Sequence, residues 1–508
     1  MSLNLSLEQF AAVAANHRVV PIIETLFSGT ETPLSIFEKI AADKPGSFLL
    51  ESAEQGVWAR YSFIGVNNRG LLSKTDGKVS WKSSKGHSAF PAGSTAKLAD
   101  SGLEAVAQIQ EAWFSNPVAD VPPLTSGLVG VMGWDLIREI ESLGDPLPKD
   151  FVSPELAMAM FEDLVIVDHL TSSVLLVANI FIEDGIDLED SYATALDRIS
   201  ALREGVLQPT KALLAELSFA GAIEPRHRVA KADYLAAVEA SKRFVRIGDV
   251  FQVVVSQRFD VDCAASPLDV YRVLRALNPS PYMYLLNFED DAGAYAVVGS
   301  SPEALVKVSD GLAVSHPIAG SRPRGSNQDD DLAFADDLLS DAKERAEHLM
   351  LVDLARNDLL KVCEPSSVNV TEFMQVERFS HIMHLVSTVE GKVRSGQSAI
   401  DVFKATFPAG TLSGAPKPRA LEIIEELEQS NRGIFGGVVG YFDFAGNADL
   451  AIAIRTAFIR DGVAHVQAGA GLVLDSVPEN EHQETITKAS APLRAIVAAN
   501  RMTKLELS

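Results

Sequence analysis

Two stretches of this chain carry paired glutamates on helix-like sequence, and any fold must either bring the pairs together or leave them to solvent. Residues 341–360 read DAKERAEHLMLVDLARNDLL. Asp341 is a helix-starting type, and Asp341 with Glu344 has capping-box spacing. Ala346, Leu349, Met350, Val352, Leu354 and Leu359 recur at about the helical period and predict an apolar face. Glu344 and Glu347 are three apart, so both carboxylates leave one side of that helix. Residues 478–488, PENEHQETITK, repeat the pattern: Pro478 suits a first turn, and Glu481 with Glu484 form a second such pair. Facing helices armed in this way would make a hard oxygen site suited to Mg²⁺. A plainer reading stands beside it. First-turn glutamate favours the helix dipole, and Glu344 with His348, or Glu484 with Lys488, are ordinary partners one turn apart on a solvated face.

What surrounds those pairs narrows the choice. The net charge of −24 argues against a general nucleic-acid or anionic-membrane binder. An anionic substrate would need a locally positive pocket built from Arg, backbone N–H groups or a metal. The 508 residues allow two or three domains, and 47% hydrophobic residues allow sizeable cores. Cys263 and Cys363 are the only cysteines and have no metal-type spacing, which excludes a disulfide framework and predicts a cytoplasmic protein. The N-terminal stretch has no basic start before an apolar core, so no signal peptide is expected. The longest apolar run, 174–182, is broken by Asn179 and is too short to span a bilayer. It reads as a buried strand.

An N-terminal domain is expected over 19–204, a linker over 205–230 with Pro209, Gly221 and Pro225 as breakers, and a second domain over 231–500. In the first, strands are predicted at 47–51, 58–65 and 127–134, with a hairpin over 165–182. In the second, a helix over 233–247 ends at Gly248, and a buried strand over 250–259 carries Gln252. A single strand is predicted at 312–318. Another covers 450–459, where Arg455 shares a face with Ala451 and Ala453. A buried Arg on a small-residue face wants an anion, and its fork suits a carboxylate. Gly469-Ala470-Gly471 permits close backbone approach, as does Gly410 before Thr411. Spacing alone yields mixed α and β in two domains.

The motifs PIAGSRPRG (317–325), KERAEHLMLVDLARND (343–358), MHLVS (383–387), GTLSGAPK (410–417) and QAGAGLVLDSVPENEHQE (467–484) occur in this order. In them the chain resembles the chorismate-utilising enzymes, and along nearly its whole length the large-subunit branch that makes anthranilate for tryptophan synthesis. The resemblance implies an α+β fold of two packed, antiparallel-rich sheets with helices outside. It places Mg²⁺ on Glu347 and Glu484, with Glu344 and Glu481 holding its water shell. It assigns Glu303 as the acid for the leaving hydroxyl, and His384 to pyruvate elimination. Thr411 and Gln252 join the catalytic set. Gly320, Ser321, Phe435, Arg455, Gly469, Ala470 and Gly471 are assigned to substrate binding. Ser321 stands where the family usually has Thr, and Phe435 replaces a Tyr of some relatives, which puts that contact in doubt.

Within the resemblance two positions choose the nucleophile. Relatives that add water carry a Lys base where this chain has Gln252, and relatives that attack through a lysine amine carry it where this chain has Ala319. Neither residue here can act so, which leaves ammonia. LLES (49–52) and NPSPYM (278–283) resemble two halves of a tryptophan feedback site, formed by Glu51, Ser52, Asn278, Pro281, Tyr282 and Met283. No glutaminase nucleophile is visible. The resemblance therefore implies a separate glutaminase subunit that supplies ammonia, in a heterotetramer of two large and two small subunits. The rival readings are another chorismate enzyme, or a non-catalytic tryptophan-binding homologue.

Overall fold

Runs rich in Val, Ile and Phe form long strands, and these set the architecture. The computed structural model describes residues 3–42, 44–52, 60–210, 214–219, 224–378 and 382–505. Among them 21 strands join in one hydrogen-bonded network, and the pairings that build it are antiparallel. Strand Leu156–Asp168 is buried at every position, as a strand covered on both faces must be.

The cores define the layers. One cluster, with Phe48, Phe63, Phe161, Tyr284, Phe288 and Phe458, draws almost wholly on strands and is the seam between two sheet faces. Two larger clusters mix strand and helix residues, one including helix Gly102–Ala112 and helix Ala399–Thr406, the other helix Pro33–Ile40 and helix Leu188–Val206. Helices thus cover the outer faces of an α+β structure. The expected hairpin over 165–182 is present as the antiparallel strands Leu156–Asp168 and Ser173–Phe181.

Backbone pairing crosses the stretch 205–230. Strand Ser47–Glu51 pairs with Tyr282–Asp290, and Gly127–Met132 pairs with Val438–Asp443. Residues 211–213 and 220–223 of the expected linker lie outside the described residues, as do the first two residues of the strand expected at 58–65.

Three local expectations are corrected. The strand expected at 312–318 is split into Leu312–Ser315 and Ile318–Pro323, because Pro317 has no N–H for the ladder. The second piece pairs with Ile382–Lys392 and sets Ser321 opposite His384. The strand expected at 450–459 is also split, into Ala448–Ile452 and Thr456–Arg460. Between them Arg455 is left-handed, φ 49°, so a turn and not strand alternation aims its side chain. Finally, helix Ala342–Leu360 buries His348, Leu351, Val352, Asp358 and Leu359, while Leu349 of the predicted stripe is 53% exposed. Asp341 caps that helix through the N–H groups of Lys343 and Glu344. The Glu344 carboxylate accepts from Arg322 at 3.3 Å instead of turning back to the cap.

Arg432 locks two site-bearing segments together. It is 2% exposed. Its Nε and Nη2 donate to the Glu428 carboxylate at 2.9 and 2.6 Å. Nη1 donates to the Leu412 carbonyl at 2.7 Å and Nη2 to the Val254 carbonyl at 2.8 Å. Leu412 follows Thr411, and Val254 lies two residues past Gln252 on strand Gln252–Asp262. Arg432→Ala leaves Glu428 buried and uncompensated, so urea unfolding of the variant is expected to show a loss of about 3–5 kcal/mol.

Candidate active site

Glu303 sits in the turn between strands Gly293–Ser301 and Ala304–Ser309. Its backbone is fixed at both ends: its N–H donates to Ser301 Oγ at 3.3 Å, and its carbonyl accepts from Ile452 N at 2.9 Å. Thr411 Oγ1 donates to Glu303 Oε1 at 2.9 Å. Thr411 lies in the short helix Gly410–Ser413. That helix can pack close to helix Ala342–Leu360 because Gly410 lacks a Cβ, which would lie 2.0 Å from a Leu354 methyl. Burial pushes the Glu303 carboxyl up to about 7, against the opposing pull of the Thr411 bond and the charges of Lys488 and Arg455. Glu303 and Thr411 line a cavity with Leu305, His316, Leu351 and Asp358.

Arg455 is the counterpart. Its guanidinium makes no hydrogen bond or ion pair with a described residue. Burial lowers its pKa, and the nearby Glu303 opposes the shift. A desolvated cation with open donors is an anion site. Gln252 is 6% exposed, and a Cβ on Gly471 would lie 2.2 Å from its amide nitrogen. Gly471 is therefore the residue that lets the Gln252 side chain lie against strand Val463–Leu472, where Gly469, Ala470 and Gly471 pair with Ser256, Val255 and Val254. His384 Nδ1 bonds the Gly320 carbonyl at 2.8 Å. A carbonyl only accepts, so the proton sits on Nδ1 and the neutral ring keeps its lone pair on Nε2. Burial lowers the His384 pKa, and Arg455 adds to that. Gly320 is left-handed, and a Cβ there would lie 2.9 Å from Glu344 Oε2.

The two glutamate helices do approach each other. Burial raises the Glu347 pKa, and the charges of Glu344 and Glu484 raise it further. Burial also raises Glu481, with Glu484 adding. Glu347 has no hydrogen bond or ion pair to a described residue. Among the described residues no three His, Cys, Asp or Glu side chains gather closely enough to hold a metal. Glu347, bare of partners and pressed by the like charges of Glu344 and Glu484, still fits Mg²⁺, which binds through one or two carboxylates and keeps several waters.

Phe435 lies elsewhere. It is 6% exposed and lines a second cavity with Arg258, Arg432, His465 and Gln467, none of which borders the Glu303 cavity. Lys488 was read only as a helix partner of Glu484. Its Nζ lies 2.7 Å from Glu484 Oε1 and donates to the Gly469 carbonyl at 3.1 Å, and its charge acts on both Glu303 and Glu347. Its place one turn past Glu484 was the signal available.

At the junction of the two expected domains, Glu51 stands opposite Met283 in the ladder. Glu51 Oε1 accepts from Arg275 Nε, while Glu51 Oε2 and Ser52 Oγ are buried without a hydrogen-bond partner among the described residues. Asn278 Nδ2 donates to Ser300 Oγ at 2.8 Å, and Tyr282 OH to Asp449 Oδ1 at 3.0 Å. Pro281 is half-buried beside them.

A family model described as chorismate binding enzyme matches residues 47–494. The chain is 50% identical over 505 residues to anthranilate synthase component 1 of Arthrobacter globiformis, covering 98% of this chain and 93% of that one. It is 46% identical over 501 residues to the protein of that name from Mycolicibacterium smegmatis, with 97% and 94% covered. Its structure is similar to the crystal structure of anthranilate synthase component I from Streptococcus pneumoniae, with a TM-score of 0.74 at 33% identity, over 92% of this chain and 99% of that one.

The folded Glu303 carboxyl keeps its proton up to about 7, whereas an unfolded one loses it near the ordinary value of about 4.3. Its contribution to stability therefore falls as pH rises between those values and levels off above them. Carbonyl-stretch infrared difference spectra against Glu303→Gln should show one carboxylic acid titrating near 7. Thr411→Val, which removes a bond to the ionised form, should move that titration higher. A midpoint at the ordinary carboxylate value would contradict this geometry.

Proposed function

The chain belongs to the chorismate-binding enzyme family, and we propose that its site converts chorismate and ammonia into anthranilate, pyruvate and water, the first step of tryptophan biosynthesis. The observation that carries this reading is the nearness of Glu303, whose carboxyl burial raises to about 7, to a half-buried Arg455 that makes no hydrogen bond or ion pair with a described residue. One supplies a proton at neutral pH and the other receives a carboxylate.

Chorismate carries two carboxylates. The Arg455 fork and the close-approach backbone of Gly469–Gly471 take the enolpyruvyl carboxylate, with Gly320 and Ser321 alongside. Glu347 and Glu484 would hold Mg²⁺, with Glu344 and Glu481 orienting its waters. When bound, the ion neutralises the ring carboxylate and stabilises charge developing on the ring. Ammonia donates its lone pair to C2, the ring double bonds shift toward C4, and the C4–O bond breaks. Glu303 gives its proton to the departing hydroxyl, which leaves as water. The added nitrogen then gives up its extra proton, which restores the Glu303 acid. In the second half His384 Nε2 takes the C2 proton, the C3–O bond breaks as the ring becomes aromatic, and the departing enolpyruvate takes up a proton at its methylene carbon to become pyruvate. Gln252 has no basicity with which to activate water, and Ala319 has no amine to attack the ring, so ammonia remains the nucleophile.

The name component 1 carried by the relatives supports a second subunit, which we take to be a glutaminase delivering ammonia in a heterotetramer. The unpartnered Glu51 Oε2 and Ser52 Oγ support an amino-acid site. Their acceptors suit an ammonium group, and we assign tryptophan as its inhibitory ligand. No described helix is long and apolar enough to cross a membrane, and we place the enzyme in the cytoplasm.

A fluorescence assay with chorismate, Mg²⁺ and ammonium should yield anthranilate without any glutaminase. A different product would favour another chorismate enzyme. No product, with tryptophan still bound, would favour a regulatory homologue. Glu303→Gln should cut kcat about 10²–10⁴-fold while chorismate still binds by calorimetry. Ser52→Phe should weaken tryptophan inhibition at least tenfold and leave uninhibited turnover within about twofold. Unchanged inhibition in that variant would remove Ser52 from the site.

A further inference from the structure

We propose that Ser300 is a positioning residue that links the amino-acid pocket at Glu51 and Ser52 to the anion-binding guanidinium of Arg455; this rests on the regulatory reading of that pocket. One line of backbone rungs crosses the sheet here. Glu51 stands opposite Met283, Met283 opposite Ser300, and the Ser300 N–H donates to the Arg455 carbonyl at 3.3 Å. Ser300 is fully buried. Its hydroxyl accepts from Asn278 Nδ2 at 2.8 Å, and Asn278 belongs to the pocket. A single serine therefore touches the pocket through its side chain and the Arg455 turn through its backbone.

That turn is sensitive to its supports. Arg455 is left-handed at φ 49°, a conformation a residue with a Cβ holds only where its surroundings impose it. Its other supports are a tight Ile454 N to Ile452 carbonyl bond at 2.9 Å and the Thr456 hydroxyl on the Ile454 carbonyl at 2.7 Å. A ligand that takes the Asn278 amide leaves the buried Ser300 hydroxyl without its donor. The strand end then relaxes, its N–H leaves the Arg455 carbonyl, and the guanidinium loses its aim at the substrate carboxylate. The ligand thereby weakens chorismate binding without touching it, and by reciprocity chorismate weakens the ligand. The next residue repeats the tie to the catalytic acid, since Ser301 Oγ accepts from Glu303 N.

The test separates this wiring from the pocket itself. Titration calorimetry measures L-tryptophan binding to the full chain with and without saturating chorismate, for the native protein and Ser300→Ala. The expected result is a tryptophan Kd for the free protein changed less than threefold, and a coupling between the two ligands reduced at least fivefold. Ser300→Thr, which keeps the hydroxyl, should restore the coupling. Hydrogen exchange should show tryptophan deprotecting amides 453–457 in the native protein and not in Ser300→Ala. Undiminished coupling in Ser300→Ala, or unchanged exchange at 453–457 in the native protein, overturns the inference and leaves the regulatory pocket standing. A native protein that binds no tryptophan overturns the regulatory reading instead.

Discussion

The site depends on charge that is buried and left uncompensated. Two arginines make the contrast. Arg432 is buried, and its donors end on Glu428 and on two carbonyls, so its charge is spent on holding strand Gln252–Asp262 to the Leu412 turn. Arg455 is also desolvated, yet it bonds no described residue, and Glu303 beside it, whose charge would answer it, is driven by burial toward the neutral form. A cation in that state is costly to the apo fold, and the cost is recovered when an anion arrives. The same asymmetry runs through Glu347, a carboxylate pressed by like charges with no protein cation bonded to it. Cavity, acid and anion site are one electrostatic arrangement: each group is kept from the partner that would quiet it.

Such an arrangement needs a rigid frame, and the continuous antiparallel ladder supplies it. Glu303, the proposed acid, hangs from the end of strand Gly293–Ser301 and is pinned by Ile452 N, at the end of strand Ala448–Ile452. Thr411 is placed by a turn that Arg432 holds from below. Because the strands of the N-terminal part pair into the same network, a displacement at Glu51 has a backbone route to the catalytic face that crosses no flexible connection. Interfaces between packed sheets respond to local change by shifting between discrete arrangements. That gives the proposed regulatory pocket at the junction of the two parts a physical route to the chemistry proposed for one of them.

What could be read from the residues divides along the same line. The glutamate pairs and the glycine-rich approaches were legible, because spacing on a helix and freedom at Gly are local properties, whereas Glu303 came only through the resemblance. The two halves of the amino-acid pocket were found as motifs, and the structure joins them as a rung, Glu51 opposite Met283. Arg455 was singled out for its chemistry and placed by the wrong geometry: strand alternation put it on a small-residue face, whereas a left-handed break aims it. Pattern reading misses such breaks, since nothing in LAIAIRTAFI marks Arg455 as a turn residue. The turn is held by bonds that exist only in the folded sheet, from Ser300 N–H to the Arg455 carbonyl and from the Thr456 hydroxyl to the Ile454 carbonyl. Phe435, assigned by resemblance, lines a different cavity from Glu303.

Lys488 shows why the paired carboxylates should not be read as a metal cage waiting to be filled. Its ammonium already bonds Glu484 and the Gly469 carbonyl, so one proposed metal ligand carries a cation in this structure while Glu347 carries none. An ion taken up between the helices would meet an open Glu347 first and an occupied Glu484 second. Its affinity would then include breaking a partly exposed ion pair, a small penalty. A site made in this way would hold a divalent ion loosely and with waters, which would suit the proposed role of meeting a substrate carboxylate. The fold has no need of it: each glutamate helix is anchored by its own buried face, His348, Leu351 and Val352 on one and Ala489, Leu493 and Ile496 on the other.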